Sequence, residues 1–122
     1  MAKFEFVEKY KDCGLELPVR KTTQSAGYDL VTARDTVIPP YYFLFSNMSK
    51  LGIKNKEYSL KEIADFTKAS NAKPTLVTTG LKCKLDPGTY LELSMRSSSP
   101  LKYWLIMANG IGIIDADYFN NE

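Results

Sequence analysis

The sequence contains no histidine and only two cysteines among its 122 residues. Histidine is the side chain whose ordinary pKa lies closest to neutral pH, so acid–base chemistry in this chain would have to use carboxylates or thiols. Cys13 and Cys83 do not form a CxxC pair, and without histidine they supply too few soft ligands for a zinc site. The two thiols therefore indicate reduced cysteines in a cytoplasmic protein.

Long apolar runs and an excess of either charge are also missing. Nothing in the sequence is long enough to span a bilayer, and the N-terminus lacks the apolar core of a signal peptide. The sequence has sixteen basic and fourteen acidic residues, so its net charge is +2. This balance gives no basis for predicting nucleic-acid or membrane binding. With 44% hydrophobic residues, the chain suffices for one domain with its own core.

Short strand patterns dominate what is present. Apolar and polar residues alternate at the N-terminus, where Phe4 and Phe6 share one face. The sequence 86–88, Asp-Pro-Gly, predicts a turn between two later strands. Regular short strands with such turns predict an all-β sandwich or barrel. The predicted strands are 3–7, 28–32, 36–38, 75–85 and 89–95.

One segment has helical rather than strand character. Ser59 and Glu62 form a capping-box pattern, followed by apolar residues at helical spacing. We predict one short helix over 60–68, within an insertion that spans 43–73. Covering a sheet edge or an opening in the core is the expected role of this insertion, and a binding role is the alternative.

The segment 107–118 carries the most informative pattern. Two glycines in a turn lie between apolar runs, which predicts a β-hairpin with polar groups at its ends. An amide side chain such as that of Asn109 matches the edge of a pyrimidine base. The Asp115 carboxylate is suited to activating a water, and the Tyr118 ring to packing on a sugar and excluding an extra hydroxyl. Taken alone, the segment also fits an ordinary hairpin with solvated acids.

Two weaker patterns accompany it. Arg96 with the serines at 97–99 follows a predicted strand directly, and a guanidinium with hydroxyls suits a phosphate. Gly27 permits close backbone approach, and Asp29 is suited to holding a hydrated divalent cation. A serine-rich turn and a glycine bulge are the simpler alternatives. Together, a phosphate binder, a base reader, a sugar gate and a water-activating acid indicate a nucleotide hydrolase.

The order of these motifs resembles that of the trimeric dUTPase family. The resemblance rests on segments 17–22, 25–30, 79–81, 96–98 and 109–118. It implies a jelly-roll-like β domain that assembles into a homotrimer with active sites shared between subunits. The implied reaction is Mg²⁺-dependent attack of water on the α-phosphate of dUTP, giving dUMP and pyrophosphate.

The resemblance also implies roles for individual residues. Asp115 would activate the water and Tyr118 would pack against deoxyribose. Asn109, with the hairpin backbone at Gly110, would bind uracil. The phosphate would be held by one group of residues and the hydrated metal by an acid: Arg96, Ser97 and Ser98 for phosphate, and Asp29 for Mg²⁺ through water.

Departures from the family pattern accompany the resemblance. Phe119 and two asparagines follow Tyr118 where members usually have a glycine, and Ser98 replaces a common glycine. The family's fourth motif and glycine-rich fifth motif do not occur before Glu122, so we expect a single dUTPase-like domain, 1–122, that is incomplete at its C-terminus and has little activity alone. The alternatives are a dCTP deaminase of the same fold, disfavoured by the sequence after Asp115, and a non-catalytic regulator that binds a protein partner.

Overall fold

A computed structural model of the chain describes residues 1–40, 57–70 and 73–121. Contacts divide the chain into two compact units, one formed by Met1–Arg34 with Thr78–Glu122 and the other by Asp35–Val77. The predicted insertion, 43–73, falls within the second unit, and its residues 43–56 and 71–72 lie outside the described residues. Its boundaries stay a prediction.

The first unit is built on an antiparallel strand pair, β1 (Lys3–Phe6) with β2 (Leu81–Lys84). Phe4 lies opposite Cys83, and these two are the buried hydrophobic residues of the described part of the chain. The Tyr28 ring packs edge-on against Phe4 with centroids 5.1 Å apart. The alternating pattern at the N-terminus therefore directs Phe4 into a small core, as predicted.

The backbone at Gly80, just before β2, lies close to the side chain of Tyr10. Gly80 has a φ of +67°, and its carbonyl accepts a hydrogen bond from the Val7 N–H at 2.9 Å. A Cβ at this position would lie 2.7 Å from Cγ of Tyr10, which ends the 3₁₀ helix Glu8–Tyr10. Only glycine satisfies both the left-handed backbone and the contact with this ring.

A second antiparallel pair joins β3 (Tyr90–Leu93) to β4 (Gly112–Asp115). Tyr90 lies opposite Asp115 at one end of this pair, and Leu93 lies opposite Gly112 at the other. The predicted turn before β3 is confirmed: the Thr89 N–H donates to the Asp86 carbonyl at 3.2 Å.

The second unit contains α1 (Leu60–Ser70), which confirms the predicted helix and extends it by two residues. The capping box is formed, because the Ser59 N–H donates to Glu62 Oε2 at 2.8 Å and the Glu62 N–H donates to Ser59 Oγ at 3.1 Å. Tyr58 packs edge-on against Phe66, with ring centroids 5.2 Å apart. No helix within the described ranges is long and apolar enough to cross a bilayer.

Several strand predictions are wrong in extent. Residues 28–32 and 36–38 are irregular, and only the end of the predicted strand 75–85 forms β2. A backbone hydrogen bond from the Ala33 N–H, just after residues 28–32, to the Thr78 carbonyl, at 2.8 Å, does not continue into a ladder. A strand requires such a ladder, which local alternation alone does not supply.

The predicted hairpin also differs in its pairing. Its second arm is β4, but β4 pairs with β3, and residues 104–107 form no strand. Immediately before them lies an unpredicted short helix, α2 (Ser98–Tyr103). The chain therefore enters the glycine turn from an irregular segment that follows a helix, and not from a strand.

Candidate active site

Two residues from separate predicted motifs meet in the first unit. Arg96 Nε lies 3.7 Å from Asp29 Oδ1, with the side chain of Asp29 32% exposed and that of Arg96 70% exposed. An ion pair this open to water contributes little to stability, about 0–1 kcal/mol. Its exposure leaves both groups accessible to a charged ligand.

Asp29 is positioned by the residue before it. Tyr28 packs against the buried Phe4, and the Arg20 guanidinium lies 5.6 Å from the centroid of the Tyr28 ring. The ring is therefore held between an apolar neighbour and a cation, which fixes the adjoining backbone. Arg20 was missed as a contributor to this region, because sequence spacing does not reveal which cation meets an aromatic ring.

Asp29 also lines a cleft of about 270 Å³. Lys21 and Glu16 contribute charges to the cleft wall, Thr79 comes from the chain leading into β2, and Leu81 is the first residue of β2. Among the residues that the structure describes, no group of three or more His, Cys, Asp or Glu side chains comes together as a metal cage. A lone carboxylate fits Mg²⁺ bound mainly by water and phosphate oxygens, which is how this ion often binds.

The Arg96 motif leads into α2. Ser97 is the N-cap residue and is exposed, while Ser98 begins the helix and is half-buried. The Ser99 N–H donates to the Arg96 carbonyl at 2.9 Å, which closes the turn that carries all three predicted phosphate-binding side chains.

The other end of α2 has an unusual residue. Trp104 has a φ of 52° and is 91% exposed. Its N–H bonds back to the Pro100 carbonyl, and the next N–H, of Leu105, donates to the Ser99 carbonyl at 3.2 Å. These bonds form the helix-ending arrangement in which glycine is the usual left-handed residue.

The turn before β4 holds the predicted base-binding residues. The Gly110 N–H donates to the Met107 carbonyl at 3.0 Å, and the Ile111 N–H donates to the Asn109 carbonyl at 2.9 Å. Asn109 is exposed, and Gly110 has a φ of +77° with open space where a Cβ would stand. The turn therefore presents an amide side chain and uncovered backbone to the surroundings.

Asp115 is the last residue of β4 and is exposed. The 3₁₀ helix Ala116–Asn120 follows at once and carries Tyr118, which is 56% exposed. Phe119, in the same helix, has Lys82 Nζ 4.7 Å from its ring centroid. Lys82 was not singled out from the sequence, and Phe119 was noted only as a departure from the family pattern, because their contact joins β2 to a distant segment.

The strand pairing separates the predicted residues into two groups. The Arg96–Ser98 segment and the Asn109–Gly110 turn both lie beyond the Leu93–Gly112 end of the β3–β4 pair. Asp115 lies at the Tyr90 end, and Tyr118 follows it. The four residues of β4 span about 10 Å at the usual rise per residue. Within one chain, the structure thus brings Asp29 to Arg96 and keeps Asp115 at the far end of β4.

Comparison with known proteins identifies the fold. No protein-family model matches the chain. It is 32% identical over 118 residues to deoxyuridine 5′-triphosphate nucleotidohydrolase of Lactococcus lactis subsp. lactis (strain IL1403), covering 97% of this chain and 58% of that protein. The crystal structure of dUTPase from Streptococcus mutans matches with a TM-score of 0.62 and 32% identity, covering 97% of this chain and 67% of that one.

These matches define an all-β nucleotidohydrolase fold and confirm the predicted fold class. The chain belongs to the dUTPase family. It spans a little over half the length of the curated Lactococcus relative.

Proposed function

We propose that the protein hydrolyses dUTP to dUMP and pyrophosphate, by Mg²⁺-assisted attack of water on the α-phosphate. Family membership supports the substrate and the class of reaction. The observation that carries the proposal to this chain's own residues is the contact between Asp29 and Arg96, 3.7 Å apart. It joins a carboxylate suited to a hydrated cation with a guanidinium suited to phosphate, two functions that a nucleoside triphosphate requires together.

The phosphates would bind where this contact lies. Arg96 offers a planar cation, and the hydroxyls of Ser97 and Ser98 offer donors along the same turn. Asp29 would hold Mg²⁺ through water, and the bound ion would neutralise charge on the phosphate oxygens. This arrangement favours an electrostatic role for the first two motifs.

The nucleoside and the water would bind along β4. The Asn109 side chain and the backbone at Gly110 are accessible for hydrogen bonds to uracil. Asp115 would orient and deprotonate the water, and the exposed Tyr118 ring would pack against deoxyribose. A clash with a 2′-hydroxyl at this ring would select deoxyribose over ribose.

The separation of these groups supports a shared site. In a nucleotide the sugar lies between base and phosphates, yet within one chain the base-binding turn and the phosphate-binding turn lie beyond the same end of β4. Residues of different copies would restore the required order. We therefore propose that the protein acts as a homotrimer whose active sites combine residues from neighbouring subunits.

The remaining assignments follow from the same family. We propose that residues 1–122 represent a single dUTPase-like domain with the helical segment 43–73 inserted into it. The free thiols of Cys13 and Cys83 support a reducing, cytoplasmic site of action. The balanced net charge of +2 supports a small-molecule substrate without direct nucleic-acid binding.

The test is a substrate panel with the purified protein. Pyrophosphate release and dUMP formation are measured with dUTP, UTP and dCTP, with Mg²⁺ and after its removal by a chelator. Ammonia release from dCTP is followed in parallel. We expect Mg²⁺-dependent hydrolysis of dUTP, slow for residues 1–122 taken alone, and no ammonia. Ammonia from dCTP without dUTP hydrolysis would identify a deaminase, and failure to turn over either nucleotide would overturn the enzymatic proposal.

A further inference from the structure

The segment that follows Asp115 contacts β2 through an aromatic side chain. The ring centroid of Phe119 lies 4.7 Å from Nζ of Lys82 on β2, and both side chains are half-buried. Cations at this distance from a ring are attracted by its negative face, more strongly when water is partly excluded. The contact therefore ties the 3₁₀ helix Ala116–Asn120 to the strand pair that contains the core.

This attachment determines the direction of the neighbouring ring. A 3₁₀ helix has about three residues per turn, so successive side chains point about 120° apart. With Phe119 facing Lys82, the Tyr118 side chain is directed away from β2, and it is 56% exposed. A hydrogen bond from the Asn121 N–H to the Tyr118 carbonyl, at 3.0 Å, closes the helix.

We propose that Lys82 and Phe119 are positioning residues for sugar discrimination, acting through Tyr118. The inference rests on the proposed function, in which Tyr118 packs against deoxyribose. A steric gate discriminates only if its ring is held where the 2′-hydroxyl would clash, because a mobile ring yields to the larger sugar. The cation–ring contact restricts that movement from outside the nucleotide site.

Four variants distinguish the effect of the Lys82–Phe119 contact from the effect of losing a positive charge. Lys82→Met removes the cation and retains an unbranched side chain, whereas Lys82→Arg retains a cation able to bind the ring. Phe119→Leu removes the ring and retains an apolar side chain. Lys84→Met is the matched control, since Lys84 is on the same strand, loses the same charge and makes no ring contact within the described residues.

The measurements are the affinities for non-hydrolysable analogues of dUTP and UTP by calorimetry, and the ratio of kcat/KM values for the two substrates. We expect the preference for dUTP to fall by roughly five-fold or more in Lys82→Met and Phe119→Leu, as expected for loss of one cation–π contact. It should persist in Lys82→Arg and Lys84→Met. The kcat for dUTP should change little, because Asp115 is untouched. General loss of structure would instead lower kcat and weaken the binding of both nucleotides equally.

The outcomes distinguish a failure of this positioning role from a failure of the proposed function on which it rests. If the unsubstituted protein binds neither nucleotide, the proposed function fails and the inference fails with it. If it prefers dUTP and that preference is unchanged in Lys82→Met and Phe119→Leu, the inference alone is overturned. Circular dichroism checks that each variant is folded. Should Phe119→Leu not fold, the comparison of Lys82→Met with Lys82→Arg and Lys84→Met decides the question.

Discussion

The two strand pairs of the first unit have different surroundings. The β1–β2 pair contains the buried Phe4 and Cys83, and the chain entering β2 packs so closely that Gly80 has no room for a side chain. On the β3–β4 pair, by contrast, Tyr90 and Asp115 at one end are both exposed. One pair is held by packing, and the other presents polar groups to solvent.

This difference indicates that one strand pair mainly stabilises the unit and the other mainly presents groups for binding. A packed strand pair keeps its geometry without a ligand, and exposed groups beside it remain free to bind one. Substitutions at the buried positions of β1–β2 should therefore change stability first, and substitutions at the ends of β3–β4 should change the proposed catalysis first. The predictions below test this division in order of expected effect.

Asp115→Asn should give the largest change, a loss of turnover without a loss of stability. The amide retains the shape of the carboxylate but is a poor base, and general-base catalysis contributes roughly 10²–10⁴-fold. Because Asp115 is exposed, we expect the unfolding midpoint in urea to move little. Steady-state pyrophosphate release and urea titration measure the two effects. Turnover at the unsubstituted rate would remove Asp115 from the mechanism.

Gly80→Ala should give the largest loss of stability. The left-handed backbone at φ +67° costs a side chain about 1–2 kcal/mol, and the contact at 2.7 Å with Tyr10 adds an overpacking cost of about 1–3 kcal/mol. Gly88→Ala is the matched control, since Gly88 has a φ of +79° and open space around it. Urea unfolding of both variants isolates the packing cost. Equal losses would show that Tyr10 moves aside freely.

Trp104→Gly should stabilise the folded chain by about 1 kcal/mol, because glycine adopts the left-handed conformation without the penalty of a Cβ. The indole is 91% exposed, so its removal sacrifices little packing within the chain. Urea unfolding at low protein concentration measures the gain. A loss of stability would indicate that the ring is buried against another copy, and sizing by light scattering would then detect weaker assembly.

Ionisation of the Cys83 thiol should have the smallest effect, a loss of folding stability that occurs only in alkaline solution. Burial raises the pKa of the Cys83 thiol in the folded protein, although a backbone hydrogen bond from Lys3 opposes the shift. The neutral thiol is therefore favoured by folding. Its contribution to stability is complete below the unfolded thiol pKa of about 8.5 and is lost as the pH rises through the raised folded pKa.

Urea unfolding between neutral and alkaline pH measures this loss. Cys83→Ala is the control, because it should remove the part of the pH dependence of the unfolding free energy that comes from this thiol. In the native protein, iodoacetamide should label the exposed Cys13 quickly and the buried Cys83 slowly, as resolved by mass spectrometry. Equal labelling of both thiols would contradict the packing of β1–β2.

Features that depend on near neighbours could be predicted from the amino-acid sequence. The capping box of Ser59 and Glu62, the alternation that buries Phe4 and the turn before β3 all depend on residues a few positions apart. The motif order also identified the family, because each motif is a short local pattern. Such features need no knowledge of which segments meet.

The pairing of segments and the contacts between distant side chains became known from the three-dimensional structure. The pairing of β4 with β3, the contact of Asp29 with Arg96 and that of Lys82 with Phe119 join residues far apart in the sequence. Residues 28–32 have the composition of a strand but no continuous ladder. The physical reason is that strand formation and ion or ring contacts require a partner, and the partner is chosen by packing of the whole unit rather than by local composition.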